Sequence, residues 1–181
     1  MFDYIRDGAE IYRRSFSIIR DEADLSATPP DLEKLAVRVA HASGMIDVIA
    51  DLRASRGAGA AGRAALAGGA PVLCDSPTVL RGVTRSRLPA DNRVALLSGA
   101  ASVEGAVIAI GSEPATIAAL LAALSRPALI LAFPAGFDGA AEAKQALADT
   151  AGDIPFVTLL GTRGGTAMAA AAVNALASER E

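Results

Sequence analysis

The sequence predicts an α/β domain: a mostly parallel sheet flanked by helices in three layers, with a helical N-terminal segment, and residues 1–181 forming one unit. Three observations predict it. From Ala70 onward, short unbroken apolar runs alternate with helical stretches, as expected when both faces of each strand are covered. The longest such run, around Ala128 to Phe133, has strand length and is too short to span a bilayer. The 181 residues are 52% hydrophobic but only 4% aromatic, enough for one core built from Ala, Val, Leu and Ile.

The segment up to Gly68 reads as helical. Ile5 to Arg20 carries Ile5, Ala9, Ile11, Tyr12, Phe16 and Ile19 at a helical period. "SATPPD" then breaks the chain, and Pro29 and Pro30 suit a turn into a new helix. That helix has Leu32, Leu35, Ala36, Val39 and Ala40 as its apolar face. Farther on, "APVLCD" is a strand and "RVALL" a candidate strand. "GAVIAIG" is a strand followed by the helix "EPATIAALLAAL". "PALILAFP" precedes the helix "DGAAEAKQALAD", and "IPFVTLLG" precedes "GGTAMAAAAVNALA". In such sheets ligands bind beyond the carboxyl ends of the strands. Here those ends are Cys74-Asp75, Gly111-Ser112, Phe133 to Gly136 and Gly161 to Gly165.

Composition excludes several classes of function. A net charge of −3 argues against general nucleic-acid binding. The acidic, polar start MFDYIRDGAE does not resemble a secretory signal, and the expectation is a cytoplasmic protein with no membrane contact. One cysteine, Cys74, and one histidine, His41, cannot form an internal disulfide or the usual ligand set of a zinc site. Only Lys34 and Lys144 are lysines; the other 15 basic residues are arginines. A GC-rich coding bias accounts for that skew, and so does carboxylate recognition by the guanidinium fork.

Few short motifs carry chemistry. "GAGAAG", Gly57 to Gly62, matches a dinucleotide pattern but follows what reads as a polar helix tail, so a flexible connection is the better reading. "LLGTRGGTAM" follows a strand and opens a helix, so its amides can cradle an anion beside Arg163, or simply form a turn. Cys74 has no second histidine to activate it and reads as a small buried residue. His41 shares a helical face with Arg38. A lone helical histidine is more often structural, yet an imidazole beside a cation stays neutral and can move protons.

Longer stretches decide more. "YIRDGAEIYRRSFSIIRDEADL", "AVRVAHASG", "GAPVLCDSPTVLRGVTRSRLP", "AIGSEPAT", "FPAGFDGAAEAKQAL" and "PFVTLLGTRGGTAMAAAAVNALA" occur in this order. Together they resemble the precorrin-8X methylmutase (precorrin isomerase) family of cobalamin biosynthesis, through nearly the whole chain. The resemblance implies an isomerase that moves a methyl group from C-11 to C-12 of a corrinoid precursor, giving hydrogenobyrinate. The step is a suprafacial 1,5 shift that needs no cofactor and no enzyme-bound metal. It implies that His41 protonates the ring system and takes the proton back, and that Ser15 and Arg38 contact substrate. Thr84, Arg85 and Arg163 are further expected partners of the substrate's many carboxylates. A homodimer with sites near the subunit interface is also implied.

One part of the family pattern is missing. Only "SGAASVEG" separates "RVALL" from "AVIAIG", where the family continues through a loop and a covering helix that carries a substrate-binding arginine. A parallel crossover usually needs about a dozen residues. The expectation is therefore that the two runs form a hairpin, or that "RVALL" leaves the sheet. The same gap, between Leu97 and Ala106, motivates a second reading: a corrinoid-binding or carrier paralogue.

Overall fold

The computed structural model describes residues 6–123 and 125–178, so the expected contribution of Ile5 to the first helix lies outside the described residues. The chain runs α1 (Gly8–Glu22), α2 (Glu33–Ser43), β1 (Leu52–Ala54), α3 (Ala58–Ala67), β2 (Val72–Cys74) and α4 (Pro77–Gly82). It continues through β3 (Val94–Leu96), β4 (Val107–Ile110), α5 (Pro114–Ala122), β5 (Leu129–Ala132), α6 (Ala140–Thr150), β6 (Phe156–Leu159) and α7 (Thr166–Ala177). The six strands are ordered β1-β6-β5-β4-β2-β3, all parallel except β1, which is antiparallel to β6.

Strand alternation divides the core in two. Val72, Cys74, Val107, Ala109, Leu129, Leu131, Val157 and Leu159 face a cluster built with α2, α3, α4 and α7. Leu73, Ile108, Ile110, Ile130, Ala132 and Phe156 face the opposite way, onto Ile117 and Leu120 of α5 and Leu147 of α6. This is the expected three-layer arrangement, with α1 added outside α2.

Three expectations need correction. The segment before Gly68 is not all helical: "ADLRASR" contains the edge strand β1, whose Leu52, Arg53 and Ala54 pair with Leu159, Thr158 and Val157. Three residues are too few for periodicity to register, and pairing with β6 decides their conformation. "GAGAAG" is not a flexible connection. Gly57, at φ +74°, opens α3, and Gly59 and Gly62 lie within it. A side chain at Gly62 would collide with Leu129 and Leu176 at 2.6 and 2.8 Å, so this glycine serves close packing of α3 on the core.

The third correction concerns the short link. "RVALL" is strand β3, parallel to β2, and β4 pairs with β2 on the other side. β3 and β4 are thus parallel without being neighbours, and the hairpin does not form. Ten extended residues reach about 33 Å, ample for stepping over one short strand; the dozen-residue rule assumes a helix in the crossover. Here a 3-10 turn (Leu97–Gly99) and a loop take its place. Leu97, Ala100 and Val103 pack on the core face that contains Leu73, and Gly105 donates to the Arg126 carbonyl at 3.0 Å. The link is thus held to the core by three apolar side chains.

Candidate active site

Helices α1 and α2 build the site. Asp7 caps α1 by accepting from the Ala9 amide at 2.9 Å, and Gly44, at φ +69°, ends α2. Residues 35–40 of α2 are all buried, because α1 covers it from outside while α7 lies beneath. Arg38 is among them at 8% exposure. A charged side chain is rarely so enclosed without a task. His41, one turn later, is only half-buried and so keeps contact with solvent.

The side chains of Ser15 and His41 meet, Oγ to Nδ1, at 2.8 Å. Tyr12 and Phe16, themselves 5.7 Å apart, both pack against the imidazole with ring centroids 5.1 Å away, Tyr12 tilted and Phe16 edge-on. The Arg38 guanidinium lies 5.0 Å over the Phe16 ring. Tyr12, Ser15 and Phe16 share one face of α1 by their i, i+3, i+4 spacing, so a single helix presents the whole frame around His41. Burial, and then the Arg38 charge, hold the imidazole below its ordinary pKa. At neutral pH the free site therefore carries a neutral His41 beside a permanent cation.

The other expected residues stand elsewhere. Asn174 of α7 accepts from the Thr84 amide at 2.8 Å and donates to the Gly82 carbonyl at 2.9 Å, fixing the turn after α4. Arg85 donates to the Val94 carbonyl at 3.3 Å. Both α2 and α4 pack on α7, which links this turn to the His41 region. Arg163 differs more from expectation. Its Nη1 and Nη2 hold Asp47 at 2.7 Å and Asp51 at 2.6 Å, and its charge is already matched by two carboxylates. Nothing in the sequence near Arg163 announces those partners, which lie more than a hundred positions away.

Beyond the sheet, the strand-end loops are hydrogen-bonded to one another. Oδ2 of Asp75 accepts from the amides of Gly111, Ser112 and Glu113 at 3.0, 2.7 and 2.9 Å, spanning the gap between β2 and β4. The Gly136 amide donates to the Thr162 carbonyl at 3.0 Å, and the Gly165 amide to the Phe133 carbonyl at 2.6 Å. The candidate constellation of Ser15, Arg38 and His41 lies in the helical layer. Tyr12 and Phe16 are the site residues that sequence reasoning missed; their helical phase with Ser15 was the available signal. A cavity of about 450 Å³ lies between the α1–α2 connection and β1, lined by Leu32, Ala36 and Ile49 among others; neither Ser15 nor His41 lines it.

Two titratable groups invite tests. Cys74 is fully buried, and burial pushes its thiol up to about 12. The native protein is expected to resist a thiol reagent such as DTNB and to react stoichiometrically once unfolded; rapid labelling of the native state would overturn this. Lys144 of α6 is also fully buried and donates to the Arg163 carbonyl at 2.6 Å. Burial pushes its ammonium down to about 8, against the pull of Asp51. The unfolded chain keeps that proton up to about pH 10.4. Between the two values the unfolded state binds more protons, so this group makes stability rise with pH across that window. Urea titrations along that range should give the wild type a more positive slope of stability against pH than Lys144→Met, the opposing contribution of Cys74 being common to both; equal slopes would refute it.

Comparison with known proteins identifies the family. The family model of precorrin-8X methylmutase matches residues 10–103 and 92–179. The two matches meet in the segment that bears the shortened link. A precorrin-8X methylmutase of Pseudomonas aeruginosa is 54% identical over 208 aligned positions covering 100% of both chains. The alignment is longer than this chain of 181 residues, so the relative carries about 27 positions with no counterpart here. A precorrin-8X methylmutase of a Sinorhizobium species is 43% identical, covering 97% of each chain. The solved precorrin-8x methyl mutase of Thermus thermophilus superposes with a TM-score of 0.86 at 29% identity, over 94% of this chain and 95% of that one. Motif order, fold and overall similarity agree: the chain belongs to the precorrin-8X methylmutase family.

Proposed function

We propose that this protein catalyses the methylmutase step of cobalamin biosynthesis, moving the methyl group of precorrin-8x from C-11 to C-12 to give hydrogenobyrinate. The methyl breaks its bond to one ring carbon and forms a bond to the next, so substrate and product are isomers and no co-reactant is consumed. The observation that carries the reading is the His41 constellation: a half-exposed imidazole, neutral at rest, framed by Ser15, Tyr12 and Phe16 and backed by buried Arg38. It is reinforced by 54% identity to a precorrin-8X methylmutase along the full chain. Nothing observed favours the carrier reading.

In this mechanism His41 delivers a proton to the macrocycle and recovers it after migration. The substrate helps supply that proton. Its carboxylates bring negative charge beside His41, which favours the imidazolium and offsets burial and Arg38. Arg38 is suited to hold one carboxylate by its fork, and we propose Thr84 and Arg85, on the turn after α4, as partners of others. Arg163, already paired with Asp47 and Asp51, is left out of this set. The 54% and 43% identical relatives are named for precorrin-8X, whereas relatives named for cobalt-precorrin-8 are 25% to 35% identical, which supports a metal-free substrate. We further propose a cytoplasmic homodimer; no described helix is long and apolar enough to cross a membrane.

The test is conversion of precorrin-8x by the purified protein without added metal or cofactor, followed by its visible spectrum. Appearance of hydrogenobyrinate is expected. Binding without conversion would select the carrier reading, and no binding at high micromolar ligand would sink both.

A further inference from the structure

We infer that Ser15 is a positioning residue: its hydroxyl accepts a hydrogen bond from Nδ1–H of His41 and so leaves Nε2 as the nitrogen that moves the proton. The inference rests on the proposed methylmutase reaction but changes the role of Ser15, from a contact to substrate into a partner of the imidazole.

Nδ1 lies 2.8 Å from Ser15 Oγ, within ordinary hydrogen-bond distance. A nitrogen held in that bond is not the one that reaches a substrate, so the working nitrogen is Nε2. A serine hydroxyl can give or accept a hydrogen bond, and the distance alone does not choose. The proton cycle does. When imidazolium gives its Nε2 proton to the macrocycle, the neutral ring must keep Nδ1–H, because Nε2 has to be bare to take the proton back. Nδ1 therefore stays protonated through both half-steps, and Ser15 Oγ accepts throughout. No heavy atom needs to move. Which nitrogen of a histidine works is set by the bond its other nitrogen makes.

The surroundings keep the ring from escaping this arrangement. Flipping the imidazole would present carbon to Ser15, and the ring packs on one side against Tyr12 and Phe16, whose centroids are each 5.1 Å away. Tyr12, Ser15 and Phe16 all come from one face of α1, so the ring contacts and the hydrogen bond share one rigid support. The ionisable groups facing the ring are Arg38 from α2 and Tyr12 from α1. Arg38 disfavours the doubly protonated ring but acts on both neutral tautomers, which leaves the choice between them to Ser15.

His41 is the only histidine, so its imidazole nitrogens can be read without assignment ambiguity. In ¹⁵N-labelled protein above the His41 pKa, the expected spectrum has Nδ1 in the protonated, pyrrole-type position and Nε2 in the bare, pyridine-type position. In Ser15→Ala the two should move toward a tautomer average, and Ser15→Thr, which keeps a hydroxyl, should restore the wild-type pattern. In turnover, Ser15→Ala should lower kcat roughly tenfold, the size of one hydrogen bond, with KM nearly unchanged. A wild-type spectrum with the proton on Nε2 would overturn the inference. So would a higher KM at unchanged kcat, which is the signature of a substrate contact. The spectrum needs no catalysis, so an inactive protein would sink the functional reading without touching this test.

Discussion

Replacing His41 by alanine is expected to abolish conversion of precorrin-8x while leaving the product-bound spectrum in place. A positioned acid–base group contributes about 10²–10⁴-fold, and this is the only imidazole in the chain. Neither Cys74, buried and held protonated, nor Lys144, enclosed against the Arg163 carbonyl, is placed to replace it. His41 is only half-buried, so truncation removes the Ser15 bond and two ring contacts without emptying the core. The fold should survive with a loss of about 1–2 kcal/mol. Single-turnover conversion, compared with hydrogenobyrinate binding for the same preparation, decides the matter. Residual activity within tenfold of wild type would remove His41 from the chemistry.

Gly164→Ala is expected to be the most damaging small substitution outside the helical layer. A methyl group there would lie 2.6 Å from the Pro134 carbonyl oxygen and closer still to that of Phe133. These are backbone atoms at the end of a buried strand, so no side chain can swing aside. Phe133 also accepts from the Gly165 amide at 2.6 Å, and moving it breaks that bond. Overpacking of this kind costs about 3 kcal/mol or more. For a chain of this length that lowers the melting temperature by about 6–12 °C. Gly99→Ala serves as the control, because its side chain would meet open space. Thermal melts of the two variants should separate clearly; equal melting temperatures would show that the Phe133–Gly165 turn has slack.

Much of the layered fold was legible from the sequence, for a physical reason. Strands covered on both faces must be apolar throughout, and β4, β5 and β6 therefore appear as continuous runs such as "ILAF" and "FVTLL". β1 was not legible, because three residues paired at an edge leave no pattern of their own. Neither was the path from β3 to β4: a rule based on helical crossovers misjudged a link that only has to step over β2. At the site, His41 and Arg38 could be placed on one face because helix phase is local. The frame from α1 was harder to see, since Ser15 and His41 lie 26 positions apart and meet only when α1 docks on α2. Arg163 shows the opposite failure: its charge was visible, but Asp47 and Asp51, which neutralise it, were not identifiable as partners.

The Asp75 clasp has a consequence for selectivity. Three consecutive amides at a helix entrance, pointing at one spot, are the usual receptor for a phosphate. Here the chain supplies its own anion, tethered and always present at high effective concentration, to the amides of Gly111, Ser112 and Glu113. A nucleotide or free phosphate meeting this protein finds that berth taken. At that point the gap between β2 and β4 is closed by the chain's own charge, so this strand-end turn holds its shape without a ligand.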